Sequence, residues 1–487
     1  MNRHRSLFIF ATFIGLAVCT LAIAMLPEGR NTLTIALVIV MGATCFSSIL
    51  YDSMRGRLDR FEIVHLFLIL WFIYFGLSSL YLLYDRRIAY DSRVFPWLDR
   101  SLLLCLGAAV SFLYGYFLSR RIRRAPERSR EIRGTLWIGV VYLIGMAGGV
   151  GTMLADRQMH ASSRVSGIVS LLEPFEFLTN FGFFLLVYQW FRGKATLSQK
   201  TLLISLVVPC EAVLLFIRLG GKFYALTILG MPLVALAYAR RRLPSKSLVA
   251  ILLFAVFVVF PLYGTFRMTS RNSSFGTRIS KSVDSLAGFT PQSYTENSVF
   301  IVANRMALIN SVAIILAETG RSVDYQYGRT IGEVFVALAI PRIFWPDKPS
   351  LGIGRDFGRQ FRILPRWDMS TYVAITPVGE LYWNFGVAGV ISGMFLLGIG
   401  LQRIYAALGQ SGASDPLRLA MYAGILPILM NYEGGVSAWS VLVLRALAFY
   451  LVLGWVLRRG GGSVPVVSDV AEADLLTASG TAELAPG

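Results

Sequence analysis

The sequence predicts an all-α, polytopic integral membrane protein. Three observations carry that prediction: its composition, the length of its apolar runs and the places where its basic residues collect. Hydrophobic residues make up 55% of the chain and charged residues only 15%, against roughly 25% charged in a soluble globular domain. Apolar runs fall near 7–26, 33–50, 63–84, 101–119, 135–154, 175–191, 201–219, 222–239, 247–265, 377–401, 417–432 and 437–457. At about 1.5 Å per residue, runs of this size match roughly 30 Å of hydrocarbon. The expectation is about 12 transmembrane helices, within about 10–14.

Taken in order, the first run follows "MNRHRS" and shows no small-residue cleavage site before "PEGR", so it reads as an anchor rather than a removable signal. With the N-terminus in the cytoplasm, the short loops on that side, including "SRRIRRAPERSREIRG" and "ARRRLPSK", hold most of the short-loop lysine and arginine. That is the bias that orients membrane proteins, and it places both termini in the cytoplasm. The net charge of +18 then reflects basic loops beside anionic headgroups. Nucleic acid is not implied, because the basic residues are split among short loops rather than gathered into a soluble domain.

The expected organisation is 1–265 as transmembrane helices 1 to 9, 266–376 as one long extracytoplasmic loop, 377–459 as helices 10 to 12, and 460–487 as a disordered cytoplasmic tail. The tail is rich in Gly, Ala, Ser and acids and has no apolar period. The four cysteines, Cys19, Cys45, Cys105 and Cys210, lie inside apolar runs, and His4, His65 and His160 are scattered. No zinc-type spacing or disulfide framework results, so neither metal nor cofactor is expected. Glu211 lies in mid-span, where an ionised group needs a partner; an internal pair, with Arg445 as one candidate, is favoured over catalysis.

The long loop carries the chemistry. Its apolar stretches "SVFIVANRMALINSVAIILAE" and "IGEVFVALAIPRIF" read as helices lying in the membrane interface, with a thirteenth crossing as the alternative for the first. In "GRDFGRQFRI", Arg355, Arg359 and Arg362 share one helical face while Phe357 and Phe361 share another, and Pro365 is expected to end the helix. The three prolines of "PRIFWPDKP" make a stiff turn holding Arg342, Asp347 and Lys348. Each of these segments also reads as a basic, rigid surface against lipid phosphate.

"IPRIFWPDKP" followed by "ITPVGELYWNFGVAGVISGMFLLG" resembles the Wzy-type oligosaccharide repeat-unit polymerases of O-antigen and exopolysaccharide synthesis. The resemblance covers about residues 201–401 and includes "RLGGK" at 218–222, where relatives commonly carry a serine that this chain lacks. It implies a GT-C-like architecture in a bacterial inner membrane. It also implies glycosyl transfer on the outer face, from a glycan on undecaprenyl diphosphate to a fresh lipid-linked repeat unit. A chain-length regulator and a flippase are the implied partners. Breaking the sugar–diphosphate bond leaves negative charge that fixed cations stabilise, and arginine pairs with phosphate oxygens bidentately. The expected site is therefore Arg342 and Arg355 as catalytic cations, with Glu380 as the acceptor-hydroxyl base or as a carboxylate that keeps the loop docked. Arg218, Lys222, Arg267, Arg305, Lys348, Arg359, Arg362 and Asn384 are expected to bind diphosphate or sugar.

Two other readings stay open. An O-antigen ligase shares donor and architecture but resembles its own family in an essential histidine of the outer loop, and residues 267–375 contain none. A transporter or flippase predicts ionisable groups clustered at mid-membrane, whereas here the cations collect in one outer loop.

Overall fold

The computed structural model describes residues 32–120, 135–158, 175–217, 222–240, 291–339, 353–368, 371–410 and 415–459, with a few positions between 250 and 284. The first predicted span, most of the span at 247–265, the proline turn at 341–349 and the tail lie outside the described residues.

What is described is all-α. Helix α1 is Thr32–Met54 and α2 runs over Ile63–Tyr84 with a π turn at Phe72–Leu77. A 3₁₀ segment, Ser92–Trp97, leads into α3, Leu98–Ser119. Then come α4 (Thr135–Gln158), α5 (Glu176–Phe191), α6 (Leu197–Leu202 continuing through a π turn into Val208–Ile217) and α7 (Lys222–Arg240). The segment predicted as a loop supplies α8 (Pro291–Met306), α9 (Ile309–Glu318), α10 (Arg329–Ala339) and α11 (Ile353–Gln360). The chain ends in α12 (Pro377–Ile404), α13 (Pro416–Leu429) and α14 (Val436–Arg459).

Among the described residues, six helices are long and apolar enough to cross a membrane, or seven if the bent pair α8–α9 counts as one. Shorter apolar helices occupy the predicted spans at 135–154, 175–191 and 417–432. The molecule is thus a polytopic membrane protein with several long apolar helices.

Local sequence explains where the helices begin. Thr376 accepts from the Gly379 amide at 3.1 Å and Pro377 fills the first turn of α12; Asp415 accepts from Leu417 at 3.0 Å ahead of Pro416 in α13. Both pair a side-chain cap with a proline whose missing N–H costs nothing there.

The most extensive packing joins α3 to α12. Small residues on α3, Gly107, Ser111 and Gly115, recur every four positions and face α12, and Ser111 donates to the Ile391 carbonyl at 2.6 Å. A Cβ at Gly115 would overlap the Phe395 carbonyl, and one at Gly398 the Phe112 carbonyl. Contacts advance in the same order along both helices, so the two run parallel at backbone contact, the arrangement small-residue stripes permit within a bilayer.

Polar ties gather at the two ends. At one, the cap end, Asn310 donates to Ile88 O (2.8 Å), the Ile375 amide to Glu433 O (3.2 Å) and the Gln326 amide to Trp383 O (3.0 Å). At the opposite end, Arg120 pairs with Asp52 and Glu62 (2.8 and 2.7 Å), and Asp59 accepts from Tyr238 and Tyr405 (2.7 Å each).

This arrangement corrects one expectation. Helix α9 does not lie on the lipid interface: every residue from Ile309 to Ala317 is buried. It is held to the 85–97 connection at both its ends, through Asn310–Ile88 and Arg93–Glu318, and meets α8 at a 44° bend. A helix that is apolar all round belongs inside a protein, and an interfacial one needs a polar face.

Candidate functional site

The cap end carries an arginine-lined cleft, and a short helix builds it. In α11 the residues Gly354, Phe357 and Gly358, with Phe361 just beyond, form one buried stripe. A side chain at Gly354 would collide with the Val373 carbonyl, and one at Gly358 with Leu364 and Val373. Glycine therefore lets α11 press on the segment at 371–376. The rings of Phe357 and Phe361 sit 5.0 Å apart, and Phe361 meets Trp383 edge-on at 5.2 Å. This aromatic wedge turns the opposite, cationic face of the helix outward.

On that face Arg355 lies over the Tyr372 ring at 5.4 Å and Arg359 pairs with Asp356 at 2.5 Å. The helix ends at Gln360, earlier than Pro365 implies, because Arg362 adopts a left-handed backbone (φ 57). The amides of Ile363 and Leu364 then fold back onto the Gly358 carbonyl at 2.8 and 2.9 Å. This is the hydrogen-bonded helix stop that normally uses glycine. The turn brings Arg362 and Arg366 to join Arg359 along an open surface cleft formed, among the described residues, by the 359–366 stretch alone, with Leu364 and Pro365 in its wall. Arg362, Arg366 and the neighbouring Trp367 are exposed.

Arg93 locks this turn to the bundle. Its guanidinium donates to Asp91 (2.6 Å), to Glu318 (2.9 Å) and to the carbonyl of Phe361 (3.0 Å), and its presence beside Asp91 holds that carboxyl below the usual carboxylate range. Next to the cleft, across 371–376, lies a second polar group. Ser311, Glu433 and Arg305 stand around the Tyr90 phenol, and Ser311 also donates to the Ala374 carbonyl.

Glu380 and Asn384 lie in a buried node one turn apart, as their spacing predicts. Oε1 of Glu380 accepts from the Thr330 hydroxyl and Oε2 from the Ser437 amide, both at 2.9 Å. The carboxylate thus caps the start of α14, where the helix dipole favours an anion, and ties it to α10 and α12. Asn384 donates to Thr330 (2.7 Å) and to Glu380 O (2.8 Å) and accepts from Gly328 N (2.9 Å). Next to this node, at Gly386 (φ 64), α12 is broken, and the freed Trp383 and Asn384 carbonyls accept from Gln326 N and Tyr327 N. This geometry supports the docking role for Glu380, not the reach to a substrate hydroxyl.

Of the residues singled out in the sequence, Arg355, Arg359 and Arg362 come together on α11 and its terminal turn, and Arg305 lies in the group around Tyr90. Lys222 opens α7, and its side chain is outside the described residues, as are Arg218, Arg267, Arg342 and Lys348. Sequence reasoning passed over Arg366, Arg93 and Tyr90. Glu211 is buried and accepts from the Tyr142 hydroxyl at 3.1 Å.

A family model described as a domain of unknown function (DUF8712) matches residues 177–410, a stretch that runs from α5 through α12 and takes in the arginine turn. No curated protein and no solved structure matches the chain.

Proposed function

We propose that this protein is a metal-independent glycosyltransferase that polymerises oligosaccharide repeat units carried on undecaprenyl diphosphate, at the outer face of a bacterial inner membrane. The cap end is then extracytoplasmic, the termini are cytoplasmic and the full count of spans is about 12. The observation that carries the reading is the open cleft lined by Arg359, Arg362 and Arg366, with Arg355 over Tyr372 just upstream.

A lipid-linked diphosphate lies where hydrocarbon meets water, and it needs fixed cations there. In the transfer, an acceptor hydroxyl oxygen bonds to the anomeric carbon while the bond from that carbon to the diphosphate oxygen breaks. The electron pair leaves with the diphosphate and the hydroxyl proton passes to solvent. Guanidiniums set in advance around the leaving oxygens stabilise the transition state more than the ground state. The exposed rings of Tyr372 and Trp367 supply apolar faces on which sugars stack. The resemblance to Wzy-type polymerases, carried by "IPRIFWPDKP" and "ITPVGELYWNFG" on either side of this stretch in the sequence, points to the same reaction.

Cells carrying Arg359→Ala or Arg366→Ala in place of the wild-type chain should show surface glycan shortened to single repeat units, with normal protein in the membrane. A contact made in the transition state is worth roughly 3 kcal/mol, about a hundredfold in rate. Unchanged polymer length in both variants would return these arginines to contact with lipid phosphate. Deletion of the gene separates the alternatives: absence of any attached unit signifies a ligase, and build-up of lipid-linked units inside the cell a flippase.

A further inference from the structure

At the end of the bundle opposite the arginine cleft, three side chains converge that lie apart in sequence. Asp52 comes from α1, Glu62 from the residue capping α2 and His65 from the first turn of α2, and each is about 1% exposed. Their candidate ligand atoms all lie within 4.8 Å of one another. His65 Nε2 stands 3.3 Å from Asp52 Oδ2 and 3.9 Å from Glu62 Oε2. In a tetrahedral site with bonds of about 2.0–2.2 Å, neighbouring ligand atoms are roughly 3.3 Å apart.

A second observation distinguishes this group from an ordinary cluster of acids. Nε2 of His65 is buried and makes no well-aligned hydrogen bond, although it stands at ion-pair distance from Asp52. Buried ring nitrogens normally make aligned hydrogen bonds, and one that does not, set between two carboxylates, is placed as a ligand is placed. The other ring nitrogen is occupied, 3.2 Å from the Ser48 hydroxyl, and such outer contacts fix which nitrogen faces a metal. The carboxylates are braced too: Arg120 donates to both at 2.7–3.0 Å and Tyr116 to Glu62 at 2.9 Å.

We propose that Asp52, Glu62 and His65 bind a divalent transition-metal ion of the Zn²⁺ class, clasping α1, α2 and the end of α3. One imidazole with two carboxylates suits such an ion better than Mg²⁺, which prefers oxygen ligands and keeps its water. The way in passes Arg120, whose side chain is 27% exposed while those of the acids are 2% exposed. The ion is a structural clasp far from the cleft, so this proposal stands or falls apart from the glycosyltransferase reading.

The test uses the full-length protein in detergent, treated with chelator, offered Zn²⁺, Mn²⁺ or Mg²⁺ separately, desalted and analysed for metal. About one Zn²⁺ per chain is expected for wild type and under about a tenth of that for His65→Gln and Asp52→Asn. Co²⁺ in place of Zn²⁺ should give a visible d–d absorption that His65→Gln abolishes. Should Asp52→Asn fail to fold for want of its Arg120 pair, His65→Gln, which leaves that pair intact, carries the test alone. Wild type retaining under about a tenth of an equivalent of all three metals would overturn the proposal. Wild-type zinc content in His65→Gln would overturn it equally.

Discussion

Arg362 is where backbone and side chain pull in different directions. Its left-handed conformation (φ 57) costs a non-glycine residue roughly 1–2 kcal/mol, and strain of this kind persists where a side chain is needed at that spot. Arg362→Gly should therefore hold or raise thermal stability in detergent, by up to about 1 kcal/mol, while polymer synthesis falls. A variant that is less stable yet fully active would show that the guanidinium serves the fold. Glu380 predicts the converse. Glu380→Gln places an amide against the Ser437 amide and removes a charge-assisted bond worth about 2 kcal/mol, so the melting temperature in detergent should drop while the folded fraction retains its activity. Unaltered stability with lost activity would instead restore Glu380 as a base. The i, i+4 spacing of Arg355 and Arg359 made their shared face legible in the sequence. Arg366 was not, because it reaches the cleft only through the left-handed turn at Arg362, and nothing in "RQFRILPR" marks that turn. Arg93 was also missed, since its bonds to Glu318 and Phe361 join segments more than 200 residues apart.

Among elements, the α3–α12 pair decides whether the cleft has a platform. Helix α12 carries the 371–386 region into the bundle, and its depth is fixed by Gly115 and Gly398 meeting opposing carbonyls. Gly115→Val and Gly398→Val should each cost at least the 1–3 kcal/mol typical of overpacking, read as lost folded protein in detergent. Gly400→Ala, with open space at its Cβ, should be silent. Equal behaviour of all three would mean that the helices do not meet at backbone contact. Helix existence was readable from apolar run length alone, and the six long apolar helices fall on predicted spans. Helix depth was not readable. Run length does not distinguish α9, sealed beneath the 85–97 connection, from a helix at the membrane surface, and it says nothing of the break at Gly386.

For the whole molecule, the division into two polar ends carries the functional reading. The polar ties separate into two groups: 85–97, 318–328, 361–376 and 431–437 at one end, and 52–62, 120, 238 and 405 at the other. The His65 cluster remained hidden in the sequence because Asp52 lies on a different helix from the Glu62–His65 pair; only the packing of α1 on α2 brings them together. The central claim is that cations at the cap end neutralise a departing lipid diphosphate. Its most direct test is chain growth by the purified full-length protein in nanodiscs, supplied with an undecaprenyl-diphosphate-linked repeat unit and followed by glycan electrophoresis. A ladder of multiples from wild type, reduced about a hundredfold in initial rate by Arg359→Ala, is the predicted result. A single unextended unit from well-folded wild-type protein, or an undiminished ladder from the variant, would contradict it.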